Sequence, residues 1–303
     1  MTSRAVQYAR YGGPEVLELV EREDPQPGPG QVRLAVRAAS VNPADWKLRT
    51  GAFTPGAEAP EHPVVPGFDV AGTVDALGEG VTAFGVGDEV LGAASGGAQA
   101  EKALADVTAL VAKPAALSWE VAGSLATIVA TAYRVLERLA LSPGQVLLVH
   151  GASGGVGVVA AQVALARGIT VIGTASERHQ DDVRALGATP VVYGDGLVDR
   201  VREVTDRVDA VFDAAGKGSL ADLVALAGSP DRVITIAHPD AADHGVAFSS
   251  GGSVEGSLAE FVGQLEAGTF RAPEVVVYPL EQVAQAQEDN RTGAVSGKLV
   301  VTP

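Results

Sequence analysis

The run Val146-Leu-Leu-Val-His-Gly-Ala-Ser-Gly-Gly-Val-Gly157 has the residue types and spacing to hold a pyrophosphate. An apolar stretch is followed at once by a glycine-dense turn and then by an alanine- and valine-rich segment that reads as a helix. A helix start offers unpaired N–H groups and the positive end of its dipole. Glycine lets an anion approach the backbone, because no Cβ stands in the way. Gly154 and Gly157 take the second and third glycine positions of G-x-G-x-x-G. Ala152 stands at the first, and Gly151 lies one residue early. The strand before and the helix after supply the context this pattern needs. Ser153, Gly154, Gly155 and Val156 are the contacts expected at the turn. A tight strand-to-helix turn without a ligand is the alternative.

The next chemistry-bearing stretch lies about 20 residues on, where an acidic side chain would hold the ribose hydroxyls of NADH. The strand there ends Gly173-Thr-Ala-Ser-Glu-Arg-His179, with Thr174 at the acid's place. Ser176 and Arg178 follow and can offer a hydroxyl and a charged fork to a 2′-phosphate. NADPH is therefore expected rather than NADH, although Glu177 can also reach a ribose and Arg178 also fits a solvated first helical turn. Further along, Asp213-Ala-Ala-Gly216 ends a fourth strand, and Ala237-His238 ends a fifth. Ala215 and Ala237 are expected beside the nicotinamide. His238 precedes Pro239 and reads as a loop residue before it reads as a proton donor. His150 reads as a core histidine, and His62, His179 and His244 have no metal-ligand spacing.

These residues need a parallel sheet to hold them. From about Ser118 onward, strands at 146–149, 170–173, 190–193, 208–212 and 232–237 alternate with helices, the pattern of βαβ units. A helix is expected over 119–141, with a break near Ala130–Thr131. The first third is β-rich without alternating helices, which implies a separate domain. Its strands are expected at 5–11, 16–20, 31–40, 64–72 and 73–77. Asn42-Pro-Ala-Asp-Trp-Lys-Leu48 forms a turn into a short helix, with Asp45 as the favoured cap. Gly92–Ala98 is a short glycine-rich segment, an open mouth or a mobile flap. The tail elements, 275–278, 280–288 and 298–301, are too few to stand alone and should return to the first domain. The expected division is 1–117 with 263–303, and 118–262.

Composition narrows the function classes. The formal net charge of −15 argues against nucleic acid or an anionic membrane as partner. With no cysteine, disulfides and thiolate metal sites are excluded. No stretch approaches the ~20 apolar residues of a membrane span, and the first residues lack a signal-peptide core. A soluble cytoplasmic protein is the expectation.

Several motifs in order resemble the medium-chain dehydrogenase/reductase superfamily, in its zinc-free quinone oxidoreductase and enone reductase branch. They are Tyr11-Gly-Gly-Pro-Glu-Val-Leu17, Val41-Asn-Pro-Ala-Asp-Trp-Lys47, Pro66-Gly-Phe-Asp-Val-Ala-Gly72, Gly85-Val-Gly-Asp88, Thr131-Ala-Tyr133, His150 to Gly157 and Gly297-Lys-Leu-Val300. The resemblance implies an α/β fold: a GroES-like β-rich catalytic domain, plus an inserted Rossmann domain with a doubly wound parallel sheet. It implies no zinc, since Phe68 stands where zinc-dependent relatives carry a ligand histidine. The implied reaction is hydride transfer from NADPH to the activated C=C bond of an enone or alkenal, or to a quinone.

Lys47 resembles the residue that binds the cofactor ribose or polarises the substrate carbonyl; a surface lysine on a short helix is the alternative. Asn42 resembles a residue beside the nicotinamide, and equally fits an Asx-turn before proline. Thr131, Tyr193 and Lys298 match cofactor-contacting positions, though Ser296 replaces the basic residue many relatives have before Gly-Lys. Trp46, Phe53 and Phe248 are expected as apolar walls, Phe248 against the cofactor. Ala52 and Ala93–Gly97 are expected to line the substrate space. A homodimer pairing through Val246–Ser249 is implied. Two other readings stay open: a pathway-specific tailoring enoyl reductase, and an NADPH-binding protein without turnover.

Overall fold

The structure is a computed structural model that describes residues 1–303. The chain begins as an antiparallel pair, β1 (Thr2–Gln7) and β2 (Glu18–Glu23). Their connection is longer than a tight hairpin and contains a 3-10 turn at Pro14–Val16. Tyr8, expected inside the first strand, makes only an isolated bridge to Val64.

Next come β3 (Gln31–Ser40), α1 (Pro43–Arg49), β4 (Asp69–Leu77), β5 (Glu89–Ala93), β6 (Lys102–Asp106) and β7 (Leu110–Ala112). Val32, Leu34 and Val36 alternate with the less buried Arg33, Ala35 and Arg37, which buries one face of this part of β3. Residues 64–68, expected as strand, run irregularly into β4. Gly67 is the reason, since it turns the chain at φ +102°.

The expected helix over 119–141 is two helices, α2 (Trp119–Ala122) and α3 (Ala126–Leu139). The break falls at Gly123–Leu125, and α3 runs unbroken through Ala130 and Thr131. Gly123 ends α2 where it packs on the backbone of Ala38, whose carbonyl oxygen would stand 2.6 Å from any Cβ. Asp69, from β4, accepts the N–H and hydroxyl of Thr127 in the first turn of α3. A threonine inside a helix is tolerable, so the Thr131 cue misled. The real stop and restart signals come from residues distant in sequence.

The alternating part follows: β8 (Val146–His150), α4 (Gly155–Ala166), β9 (Thr170–Ala175), α5 (Gln180–Ala185), β10 (Thr189–Val192), α6 (Leu197–Val204), β11 (Ala210–Asp213), α7 (Leu220–Ala227), β12 (Val233–Thr235) and β13 (Ala247–Phe248). These strands form one parallel sheet in the order β10-β9-β8-β11-β12-β13. Relabelled from its own first strand, that is 3-2-1-4-5-6, the doubly wound order. Leu147, Leu148, Val149, Val211 and Phe212 are fully buried, as strands covered on both faces must be.

The chain ends with α8 (Ser257–Glu266), β14 (Val275–Pro279), α9 (Val283–Thr292) and β15 (Lys298–Thr302). β15 lies between β14 and β3 in the first sheet, whose order is β14-β15-β3-β4-β5-β7 with β6 also on β3. Two compact units result: residues 1–127 with 262–267 and 274–303, and residues 128–261 with 268–273. No helix is long and apolar enough to cross a membrane.

Candidate active site

In the second unit the glycine turn leads from β8 into α4. Gly154 is the N-cap of α4, in extended conformation, and no side chain caps the helix. The first-turn N–H groups are therefore left for an anion. The turn stays tight because Gly157 lies against it: a Cβ there would stand 2.2 Å from the carbonyl oxygen of Gly151. Ser153, Gly155 and Val156 are half-buried and Gly154 is exposed. These residues fit a dinucleotide pyrophosphate.

At the end of β9 the expected phosphate residues separate into two groups. Thr174 is fully buried. Its hydroxyl accepts the Gly151 N–H at 3.0 Å and lies 2.8 Å from His150 Nδ1. It serves the turn from inside, which corrects the expectation of a direct cofactor contact. Ser176 is half-buried and Arg178 exposed. Pairing of Val192 with Ala175 sets Tyr193 beside Ser176, and the Tyr193 ring is edge-on to His150 with centroids 6.5 Å apart.

The loop after β11 is organised by Asp213, whose Oδ1 accepts the N–H groups of Ala215 and Gly216 at 3.0 and 2.9 Å. Its other oxygen accepts the Thr235 hydroxyl at 2.7 Å. Thr235 Oγ1 in turn accepts the N–H groups of Ala237 and His238. Ala215 and Ala237 thus lie on neighbouring loops at the C-terminal ends of β11 and β12. His238 is buried in the loop after β12, and its Nδ1 accepts the Asp240 N–H. Phe248, on the edge strand β13, is half exposed. Thr131 is buried within α3.

In the first unit the candidates meet a closed polar cluster. Asn42 precedes α1, and its N–H donates to Asp45 Oδ2 at 2.6 Å; the other Asp45 oxygen accepts the Gly67 N–H at 2.8 Å. Asp45 is therefore a cap, and no contact ties it to Lys47. Burial pushes its carboxyl up to about 7, against the pull of these two N–H groups. The Asn42 amide donates to Ser40 and Asp69, and its oxygen accepts Lys298 Nζ at 2.5 Å. Lys298 also donates to the Val41 carbonyl at 2.9 Å and lies 4.0 Å from Asp69. Burial holds its ammonium below the ordinary lysine range.

The expected nicotinamide contact from Asn42 and cofactor contact from Lys298 meet side chains whose bonding atoms already have internal partners. Asn42 acts by starting α1, the helix that carries Lys47. Lys47 is half-buried, with Nζ 5.6 Å from the Trp46 ring centroid. The hub, Asp69, is a residue that sequence reasoning passed over. A lone carboxylate in the apolar stretch Val64–Gly72 was the available signal.

A cavity of about 380 Å³ in this unit is lined by Tyr8, Asp45, Leu48, Phe68, Ala94 and Gly96 among others. Backbone bonds from Ala94 to Phe68, Ser95 to Leu104 and Ala98 to Pro66 tie the glycine-rich segment to its neighbours, and Ala94, Gly96 and Gly97 line the cavity. Ala52 and Phe53 are exposed and do not line this cavity. No group of three or more His, Cys, Asp or Glu side chains is placed to hold a metal ion.

Two family models match the chain: alcohol dehydrogenase GroES-like domain over residues 28–140, and zinc-binding dehydrogenase over residues 155–258. A quinone oxidoreductase of Lama guanicoe is 33% identical over 324 aligned positions, covering 98% of this chain and 97% of that protein. A 2-methylene-furan-3-one reductase of Solanum lycopersicum is 32% identical over 317 positions, covering 99% of this chain and 79% of that one. The solved structure of a mycobacterial protein complexed with NADPH superposes with a TM-score of 0.84 at 27% identity, over 99% of this chain and 100% of the other.

Proposed function

This chain belongs to the medium-chain dehydrogenase/reductase superfamily, among the quinone oxidoreductases, and on that premise we propose an NADPH-dependent reductase of enones, alkenals or quinones that works without zinc. The observation that supports it best is the uncapped start of α4, with Ser176, Arg178 and Tyr193 gathered at the ends of β9 and β10. When bound, the reduced nicotinamide supplies the hydride. The NADPH-binding domain in this reading is the unit of residues 128–261 with 268–273, so the expected start at 118 is corrected to 128.

The first-turn N–H groups of α4 hold the pyrophosphate, and Arg178 with Ser176 holds the 2′-phosphate. Asp213 and Thr235 fix the two loops that carry Ala215 and Ala237. Lys47 presents an ammonium to the oxygen on which negative charge develops. Water is a sufficient proton source for the carbon next to that oxygen. The residues present do not fit zinc: there is no cysteine, and Phe68 offers no lone pair, so no step runs through a metal.

The test is loss of NADPH absorbance with methyl vinyl ketone, a long-chain alkenal and a naphthoquinone, with NADH in parallel. Turnover with NADPH and at least one acceptor supports the reading. Tight NADPH binding with no oxidation by any acceptor sinks it. Lys47→Ala should lower kcat/KM about tenfold or more, the scale of one lost charged hydrogen bond; unchanged turnover removes Lys47 from the mechanism. A homodimer through the β13 edge belongs to the same proposal, and a monomer mass by light scattering at micromolar concentration would end it.

A further inference from the structure

In a doubly wound sheet the connections leave the first and fourth strands in opposite directions, and the ligand crevice opens between those two strand ends. Here they are the ends of β8 and β11, neighbours that pair His150 with Asp213. One side chain spans from the first to the loop beyond the second. His150 is buried, and its Nε2 lies 3.1 Å from the carbonyl oxygen of Lys217. A carbonyl only accepts, so Nε2 carries the proton. Nδ1, 2.8 Å from Thr174 Oγ1, then has a lone pair and takes the hydroxyl proton. The same hydroxyl oxygen takes the Gly151 N–H at 3.0 Å.

Four groups therefore act in series: Gly151 N–H to Thr174, Thr174 O–H to His150, and His150 N–H to Lys217. Every donor meets an acceptor with a neutral imidazole. Direct packing runs parallel to this series. Gly151, at φ +91°, sits so close to the loop that a Cβ there would stand 3.1 Å from Ala215 Cβ. On the loop's far side, His238 takes the Asp240 N–H on Nδ1 and faces the Gly218 carbonyl with Nε2 at 3.4 Å, a longer second hold.

We propose that His150 is a positioning residue: bonded to Thr174 on one side and to the Lys217 carbonyl on the other, it fixes the 214–218 loop against the glycine turn and sets the width of the crevice. The proposal rests on the reading that this crevice receives NADPH. It gives the Thr174 hydroxyl, which has no exposed surface, a reason to stand where other dinucleotide folds place an acid. Breaking the series at Thr174 alters the crevice without removing any ligand-facing group.

The test uses Thr174→Val, which keeps the volume and loses the hydroxyl, Thr174→Ser, which keeps the hydroxyl, and His150→Phe. Amide hydrogen exchange of residues 215–219 is read in the cofactor-free protein, then NADPH affinity and steady-state kinetics. In Thr174→Val, exchange at 215–219 should rise about tenfold, the scale of one lost buried hydrogen bond. NADPH affinity should weaken by a similar factor, and kcat should fall with the acceptor KM unchanged. Thr174→Ser should recover most of each loss. Unchanged exchange at 215–219 in both Thr174→Val and His150→Phe overturns the proposal whatever the kinetics show. So does equal behaviour of Thr174→Val and Thr174→Ser. Wild-type protein that binds no NADPH overturns the functional reading instead, while the exchange comparison still decides the role of His150.

Discussion

The start of α4 and the cluster around Asp69 are made of similar groups and end in opposite states. At α4 the N–H groups of the first turn have no side-chain cap. Around Asp69, Ser40, Asn42, Thr127 and Lys298 converge on one buried carboxylate, and none of these side chains is left without a partner. An open cluster beside solvent loses little by waiting for a ligand, because water satisfies it meanwhile. A closed cluster away from water must be complete, since each unpaired group costs about 1–3 kcal/mol. The first suits binding, and the second suits holding a helix in place.

The largest break in this contrast is Asp69→Ala. It removes the counter-charge of a buried ammonium and the acceptor of several donors, and should cost about 3–5 kcal/mol. Urea unfolding measures it, and a loss below about 1 kcal/mol, the range of an exposed ion pair, would show that the cluster is not closed. Next comes Gly157→Ala, which drives a methyl into the Gly151 carbonyl. Overpacking of about 1–3 kcal/mol should weaken NADPH binding about tenfold or more while leaving the first unit's unfolding unchanged. Titration by cofactor fluorescence decides, and unchanged affinity would mean the turn has room to spare.

A smaller effect is expected from Arg178→Ala. Loss of one charge-assisted bond should shift the NADPH-to-NADH preference about tenfold toward NADH, read as a ratio of kcat/KM values. An unmoved ratio would place the phosphate elsewhere.

A separate test of the closed region is a pH slope. The Asp45 carboxyl is raised by burial to about 7 in the fold, from an ordinary 3.8. Between these values the folded state holds the proton and the unfolded state has released it. Stability should therefore decline as pH rises from about 4 to about 7. Asp45→Asn should flatten that part of the profile measured by urea midpoint, and an identical slope in both proteins would remove Asp45 as its source.

The open region was legible in the sequence and the closed one was not, for a physical reason. Strand, turn and helix start follow one another from Val146 to Gly157, so local spacing carries the whole turn proposed to hold the pyrophosphate. Ser176 and Arg178 are readable for the same reason. Asn42 and Lys298 are legible as positions, but they bond each other across 256 residues of sequence, and no local pattern says that Lys298 points inward to Asn42. The helix break shows the same limit. Its causes are Ala38 behind Gly123 and Asp69 over Thr127, whereas the cue taken from Thr131 was a weak propensity that packing overrides. Thr174 is expected at the cofactor, and the structure turns it inward. Its inward turn toward His150 needed coordinates.

The place of β15 bears on how the molecule is made. Residues 298–302 fill an interior slot between β14 and β3, while β8 to β13 all lie within residues 146–248. During synthesis the parallel sheet has every strand in hand while the first sheet still lacks an inner one, and domains generally assemble as units when their parts emerge. The edges of β3 and β14 that will flank β15 must stay unpaired until residues 298–302 have emerged. A nascent chain stalled before residue 298 would carry a finished parallel sheet and a first sheet still open between β3 and β14.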